Sequence, residues 1–392
     1  MPYNRMMGSA AKAVWIGAVL AGAGGVAVWL ATRQEGNSTT THRTAATSGE
    51  NLYVGDETCA RCHPGEALRH ARSGHARTLT STRDSVAARR LDGKTFRDTE
   101  RGTTFHYQMT DAGLIVSVPE KHADSFPLTW AFGSGEHAVT FLTLIASRAG
   151  DTVGIEHRVS VFAPDDHLGL TPSHAGEQAQ QAVEEFGRVK RGEKLTKCIG
   201  CHTTTARVEG AELADLRAGV GCERCHGPGG RHVQAAEENR GDAAMLFGTG
   251  QVAADDQIRM CGQCHRHPET LGETTISADN PRLARFQPVG LLQSACYRKS
   301  SGRMSCTTCH DPHEHAPRER EQYDGRCLTC HTSRGKPSRL CPVSPQENCV
   351  SCHMPAVEVR PGTVFHDHWI RVRTPESTPS GTGSTGQPSP DH

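Results

Sequence analysis

One five-residue word, Cys-x-x-Cys-His, occurs seven times and constrains nearly everything else in the chain. The copies are CARCH (Cys59–His63), CIGCH (Cys198–His202), CERCH (Cys222–His226), CGQCH (Cys261–His265), CTTCH (Cys306–His310), CLTCH (Cys327–His331) and CVSCH (Cys349–His353). They use Cys59, Cys62, Cys198, Cys201, Cys222, Cys225, Cys261, Cys264, Cys306, Cys309, Cys327, Cys330, Cys349 and Cys352, leaving Cys296 and Cys341 outside. Two thiols three residues apart on one turn can add to the two vinyl groups of a haem, and the histidine that follows then reaches the iron. Structural zinc is the rival chemistry for paired Cys-x-x-Cys words, but it needs no histidine directly after the second cysteine. Here histidine follows in every copy. A redox dithiol fails as well, since it needs one such pair in a βαβ setting rather than seven in a row. The expected cofactors are seven covalently attached haem c groups, with His63, His202, His226, His265, His310, His331 and His353 as proximal iron ligands.

The words begin 139, 24, 39, 45, 21 and 22 residues apart, so the first stands alone and six crowd into residues 198–353. Only 35% of residues are apolar and 5% aromatic. So lean a segment cannot wrap each porphyrin in its own apolar shell, and neighbouring haems must share a core, close together as electron hopping requires. The expected fold is mainly α, with long irregular loops around a packed haem core and a small β insertion.

Around this core the chain divides readily. Residues 1–31 read as a signal anchor: Ala13–Ala31 is uncharged and about 28 Å long as a helix, and Arg5 and Lys12 precede it, which orients the remainder outward. A cleaved signal peptide is the competing reading. The expected location is the cell membrane, through a single N-terminal helix, with the haem domain in the periplasm. Residues 32–52 and 374–392 are rich in small polar residues and prolines and read as a linker and a disordered tail around a 53–373 haem domain. Within 94–162 no word occurs, and short β-like runs (TTFHYQM, LIVSV, AVTFLTLI, EHRVSVF) mark the β insertion. Ala179, Ala182, Val183, Phe186 and Val189 mark an amphipathic helix leading into the second word. In an oxidising compartment Cys296 and Cys341 read most simply as a disulfide, with free buried thiols as the alternative.

The motif flanks carry a resemblance. YVGDETCARCH, RSGHA, GVGCERCHGPGGRHV, MSCTTCHDPHEH, and CVSCHMP with a downstream HDHWI are similar to the multihaem c-type cytochromes of the nitrifier tetrahaem c-552/c-554 group, and to their larger relatives with extra haems. That resemblance covers most of 53–372 and implies periplasmic electron transfer by mostly bis-histidine haems. It also points to distal ligands: His75 in RSGHA, His232 in GPGGRHV, His313 in CHDPH, and His366 and His368 in HDHWI lie in flanks like the family's ligand-bearing segments. His174 in TPSH and His137 in GSGEH are further candidates.

Lys and Arg total 43, as do Asp and Glu, so no net charge draws the chain to nucleic acid. The expected partners are a redox protein or quinol-linked donor and an acceptor, together with the membrane. An altered word, such as lysine in place of the proximal histidine, would announce a catalytic iron, and none occurs. An electron carrier is therefore read first. The alternative is a multihaem oxidoreductase acting on a small nitrogen or sulfur compound at one open haem.

Overall fold

Inward-facing aromatic and β-branched residues organise the segment between the first two words. The computed structural model describes residues 52–147, 150–240, 252–331, 341–360 and 363–373, all within the compact unit Glu50–His392. Ten strands appear between the words: β1 (Leu79–Ser81), β2 (Thr95–Asp98), β3 (Thr103–Thr110), β4 (Gly113–Ser117), β5 (Phe126–Leu128), β6 (Trp130–Phe132), β7 (Ala138–Ala146), β8 (Thr152–Phe162), β9 (His167–Leu170) and β10 (Gly187–Lys190). In β3 the alternation is plain, with Thr103, Phe105 and Tyr107 buried and His106 and Gln108 exposed. A four-stranded antiparallel meander runs β2-β3-β4-β5, and a second antiparallel sheet runs β1-β6-β7-β8-β10 with β9 on β8. Gly113, at φ +123°, makes the β3–β4 turn, where a Cβ would meet Thr82 Oγ1 at 2.6 Å.

One apolar core joins the sheets, with Phe105, Leu114 and Val116 packing with Phe141, Val159 and Val161. A second core serves the candidate site. Leu79, Phe132, Leu142 and Leu144 of the larger sheet pack against Leu195 and Ile199 of the helix Gly192–His202. Those two residues are four apart, one turn of a helix, so a single apolar stripe seats the second word against the sheet. Gly154 admits the contact, since a Cβ there would lie 2.6 Å from Leu195 Cδ1.

The described residues are about 33% helical and 26% strand, which corrects the expected mainly α class. The physical reason lies in the words themselves. Each needs only one turn, so several helices are as short as Cys222–His226 and Cys349–His353. The β unit meanwhile reaches beyond 94–162, from Leu79 to Lys190, because it has an apolar core of its own. The helix expected over Ala179–Val189 is instead a 3-10 turn, Ala182–Glu185, followed by β10. Gly187 lets β10 lie against β8 so closely that a Cβ would sit 2.0 Å from the Glu156 carbonyl oxygen. Edge pairing with β8 therefore overrides the helical period. Two hairpins complete the fold: β11 (Thr203–Glu209) with β12 (Glu212–Ala218) turns the chain between words two and three, and β13 (Ala356–Arg360) with β14 (Thr363–His366) follows word seven.

The expected anchor, most of the linker and the tail lie outside the described residues. No described helix is long and apolar enough to cross a membrane. The longest, Ala254–His265 and Arg320–His331, have 12 residues, about 18 Å, against a hydrocarbon core of about 30 Å. The expectation of a membrane location is accordingly withdrawn.

Buried polar groups lock the two sheets. Arg158 on β8 is fully buried, bonded to Asp98 at the end of β2 and to Glu100 at 2.8 Å. Next to it, His157 donates Nδ1–H to the Phe186 carbonyl at 2.6 Å and accepts from the Tyr107 hydroxyl through Nε2 at 2.9 Å. Burial holds the His157 pKa down to about 3. Between that value and the ordinary 6.5 the unfolded chain binds a proton that the folded chain does not. Stability should therefore fall as pH drops through this window, by roughly 1.4 kcal/mol per pH unit from this group. His157→Gln should remove about one proton from the uptake on unfolding between pH 6 and 4, read from denaturant midpoints against pH. An unchanged slope would refute this assignment.

Candidate metal centres

Each word folds as a single turn. His63 N–H donates to Cys59 O at 2.9 Å and His310 N–H to Cys306 O at 3.0 Å, which puts both thiols and the imidazole on one side of the turn. Four word histidines face a second histidine across similar gaps. Ring centres are 6.2 Å apart for His63 and His232, 5.9 Å for His226 and His313, 6.1 Å for His265 and His75, and 6.2 Å for His310 and His368. These gaps are too wide for stacked rings in contact. An iron between two imidazoles, with bonds of about 2.0 Å and half a ring behind each nitrogen, puts the centres about 6 Å apart.

The second nitrogens agree with that geometry. His75 Nδ1 lies 3.4 Å from the Pro312 carbonyl oxygen, His368 Nδ1 donates to His366 O at 2.9 Å, and His313 Nδ1 pairs with Asp311 Oδ1 at 3.0 Å. Among the remaining words, His202 Nδ1 donates to Thr78 O at 2.9 Å and His353 Nδ1 to Arg371 O at 2.9 Å. Anchoring Nδ1 in this way presents Nε2 to a metal and is the usual support for a ligating histidine. Burial lowers the pKa of His202, His265 and His310, and that of His368 to about 4, so all four are neutral, the form that binds metal.

The other sequence candidates sit differently. His366 donates Nδ1–H to Met354 O at 2.8 Å, one residue beyond word seven. His174 is buried in the β unit with Nε2 bonded to Glu156 at 2.8 Å, and the His137 ring lies against Phe365 at 4.9 Å. At His202 the neighbouring ring is that of Phe132, 5.1 Å away and edge-on.

The thiols of successive words meet. Side chains touch between Cys59 and Cys222, Cys201 and Cys264, Cys261 and Cys306, and Cys327 and Cys349. Cys225 lies near Cys261 and Cys264, and Cys309 near Cys330 and Cys327. Words one, three, four, five, six and seven thus form a line, and word two joins at word four. Burial pushes the Cys225 thiol up to about 11, and burial with Asp56 beside it pushes Cys222 up to about 12. Thioether formation would remove these protons from the crowded sulfurs altogether. Asp56, His70 and Cys222 bring ligand atoms within 4.8 Å of one another, but Cys222 belongs to word three, so the cluster is part of the junction between words one and three. Cys296 and Cys341 are both free rather than joined.

Sequence reasoning missed the groups that fix one word to another. Glu223, inside word three and 1% exposed, accepts Val54 N–H, Gly55 N–H and Gly229 N–H, each at 2.8 Å. It ties the approach to word one onto word three. Asp324, buried in the helix that ends in word six, accepts Val350 N–H at 3.3 Å inside word seven. The only sequence signal for either is an acidic residue within or just before a word. Glu223→Ala should strand three amide donors and destabilise the fold by about 3 kcal/mol, while Glu223→Gln, which keeps an acceptor oxygen, should cost less. Denaturant unfolding of both variants checks the ranking, and equal loss would contradict it.

Three comparisons bear on the family. The family profile "Cytochrome c554 and c-prime" matches residues 160–227, which hold words two and three. The multiheme cytochrome MtrA of Shewanella baltica is 26% identical over 175 residues, covering 40% of this chain and 51% of that protein. The dissimilatory sulfite reductase MccA of Wolinella succinogenes is 20% identical over 398 residues, covering 82% of this chain and 53% of that protein. The chain therefore spans about half the length of the curated relatives it matches. The solved outer cell wall cytochrome OcwA aligns at TM-score 0.48 and 16% identity, covering 83% of this chain and 80% of that one.

Proposed function

The chain belongs to the multihaem c-type cytochromes, and on that premise we propose that its seven words hold seven haem c groups and that it passes single electrons between redox protein partners. The observation that carries this reading is the clustering of the words, in which side chains touch between words one and three, two and four, four and five, and six and seven, while cysteines of words three and four and of words five and six lie near one another. Haem c supplies a one-electron iron couple, and two imidazole ligands hold the iron in much the same geometry in both oxidation states. The ligand pairs in this reading are His63 with His232, His226 with His313, His265 with His75, and His310 with His368. His366, with its Nδ1 already anchored, is available to a neighbouring iron. Words one and seven end the line and word two is a spur from word four, so donor and acceptor exchange belongs at these three termini. A quinol-linked protein is one class of donor that suits a low-potential bis-histidine chain.

A second reading rests on word two. His202 meets a phenylalanine ring where words one, three, four and five meet a histidine, and Cys198 lies near the charged Glu156 and Lys190. An iron held there with one open position would suit an oxidoreductase acting on a small nitrogen or sulfur compound. The Wolinella relative is itself a sulfite reductase.

Mass spectrometry of the denatured, mature protein should show seven haem additions, and four or fewer would refute the architecture. Replacing Cys261 and Cys264 with alanine should leave six haems and slow exchange between donor and acceptor by roughly tenfold or more, because word four is the junction. A six-haem variant with unchanged exchange would overturn the line. Carbon monoxide added to the reduced protein separates the readings: an unchanged spectrum keeps the carrier, whereas binding with rapid turnover of nitrite or sulfite would establish the enzyme.

A further inference from the structure

Two cysteines remain once the words are counted, and their surroundings differ. Cys296 lies toward Cys309, Cys327 and Cys330, among the cysteines of words five and six. Cys341 lies against word seven, where its side chain contacts the His353 imidazole. The Nδ1–H of His353 is taken by the Arg371 carbonyl at 2.9 Å, which leaves Nε2 without that partner. The same Nε2 is the atom that would bind iron.

We propose that Cys341 is the second axial ligand of the iron held at Cys349–His353, a thiolate opposite the His353 imidazole. The inference rests on word seven carrying a haem, as proposed above. Three observations support it. An iron between the two groups needs about 2.0 Å to nitrogen and about 2.3 Å to sulfur, and the Cys341 side chain lies within hydrogen-bond reach of the His353 imidazole. The sulfur is also cradled by backbone donors: Ser344 N–H reaches it at 3.5 Å, and Val343 N–H bonds to it as well. Amide donors around a sulfur are what stabilise a metal-bound thiolate and tune its iron. The turn that supplies them is fixed in its own right, since Ser344 Oγ donates to Glu347 O at 2.7 Å. Finally, the ring partners of words one, three, four and five are His232, His313, His75 and His368, so the histidines that face those words are not the ones that meet His353.

On ligation the Cys341 S–H bond breaks, its proton passes to solvent and the sulfur lone pair forms the iron–sulfur bond, with no change in oxidation state. A thiolate donates more electron density than an imidazole and lowers the potential of its iron. Word seven lies at one end of the line, so the lowest-potential site would sit at a terminus, where it sets which partner can deliver electrons.

The test uses the mature, full-length protein and its Cys341→Ser, Cys341→His and Cys296→Ser variants, with haems counted by mass in each preparation. In the oxidised wild type, one haem in seven should give the less anisotropic low-spin EPR signal and the near-infrared sulfur-to-iron band of thiolate ligation. Both should vanish in Cys341→Ser and persist in Cys296→Ser. In Cys341→His an imidazole pair should replace them, and the potential of one haem should rise. Seven haems with no thiolate component in the wild type would overturn the inference while leaving the carrier reading intact, and so would a component that survives both Cys341 variants. A wild-type count lacking the haem of word seven would overturn it too, and the mass spectrum would show that the fault lay in the seven-haem reading.

Discussion

The pairing of imidazoles across gaps of about 6 Å is the constraint on which the haem-word half of this structure depends. The pairs bring together residues far apart in sequence: His75 faces His265, His63 faces His232 and His310 faces His368. Buried apolar residues lie around the words as well, among them Ile258, Val289 and Val350, but the two apolar clusters belong to the β unit and to its contact with word two. Directional bonds through a shared iron, as proposed above, would fix the ring on each side to a narrow range of positions. Where such bonds set the geometry, long regular elements become optional, and the described helices after word three range from the single turn Cys349–His353 to the 12-residue Ala254–His265 and Arg320–His331.

The β unit follows the opposite economy. Its two sheets share a continuous apolar core, its buried charge is neutralised within the unit by Arg158 with Asp98 and Glu100, and both nitrogens of its deepest histidine have protein partners. The two economies meet at one helix. Leu195 and Ile199 face the sheet on one side of Gly192–His202, and Cys198, Cys201 and His202 follow on the same short segment. Word two is thus seated by ordinary side-chain packing, and its histidine meets a phenylalanine ring from that sheet.

How much of this was legible in the sequence depends on the range of the interaction. The words are local, and spacing alone identifies them. His75, His232, His313, His366 and His368 stood out through their flanks, and all but His366 face word histidines, whereas His174, a further candidate, is bonded to Glu156 instead. A short motif cannot distinguish the two cases, because whether a histidine meets an iron or a carboxylate is decided by residues far along the chain. The missed helix over Ala179–Val189 has the same origin, since its apolar period is real but pairing of Gly187–Lys190 with β8 is non-local. The supposed disulfide failed for that reason too: spare cysteines can be counted in a sequence, but their neighbours cannot.

Those neighbours decide what a spare sulfur is for. Cys341 and Cys296 are equivalent by composition, yet one lies beside a word histidine under two amide donors and the other among the cysteines of words five and six. The carboxylates make the same point. Glu223 and Asp324 are single acidic residues in an evenly charged chain, but each is buried where two words meet and accepts amide hydrogens from beyond its own word. Covalent attachment holds a cofactor to its own word alone, so the spacing between cofactors has to come from contacts of this second kind. Groups that never touch iron therefore govern how close the words sit, and closeness is the property on which electron exchange along the line depends.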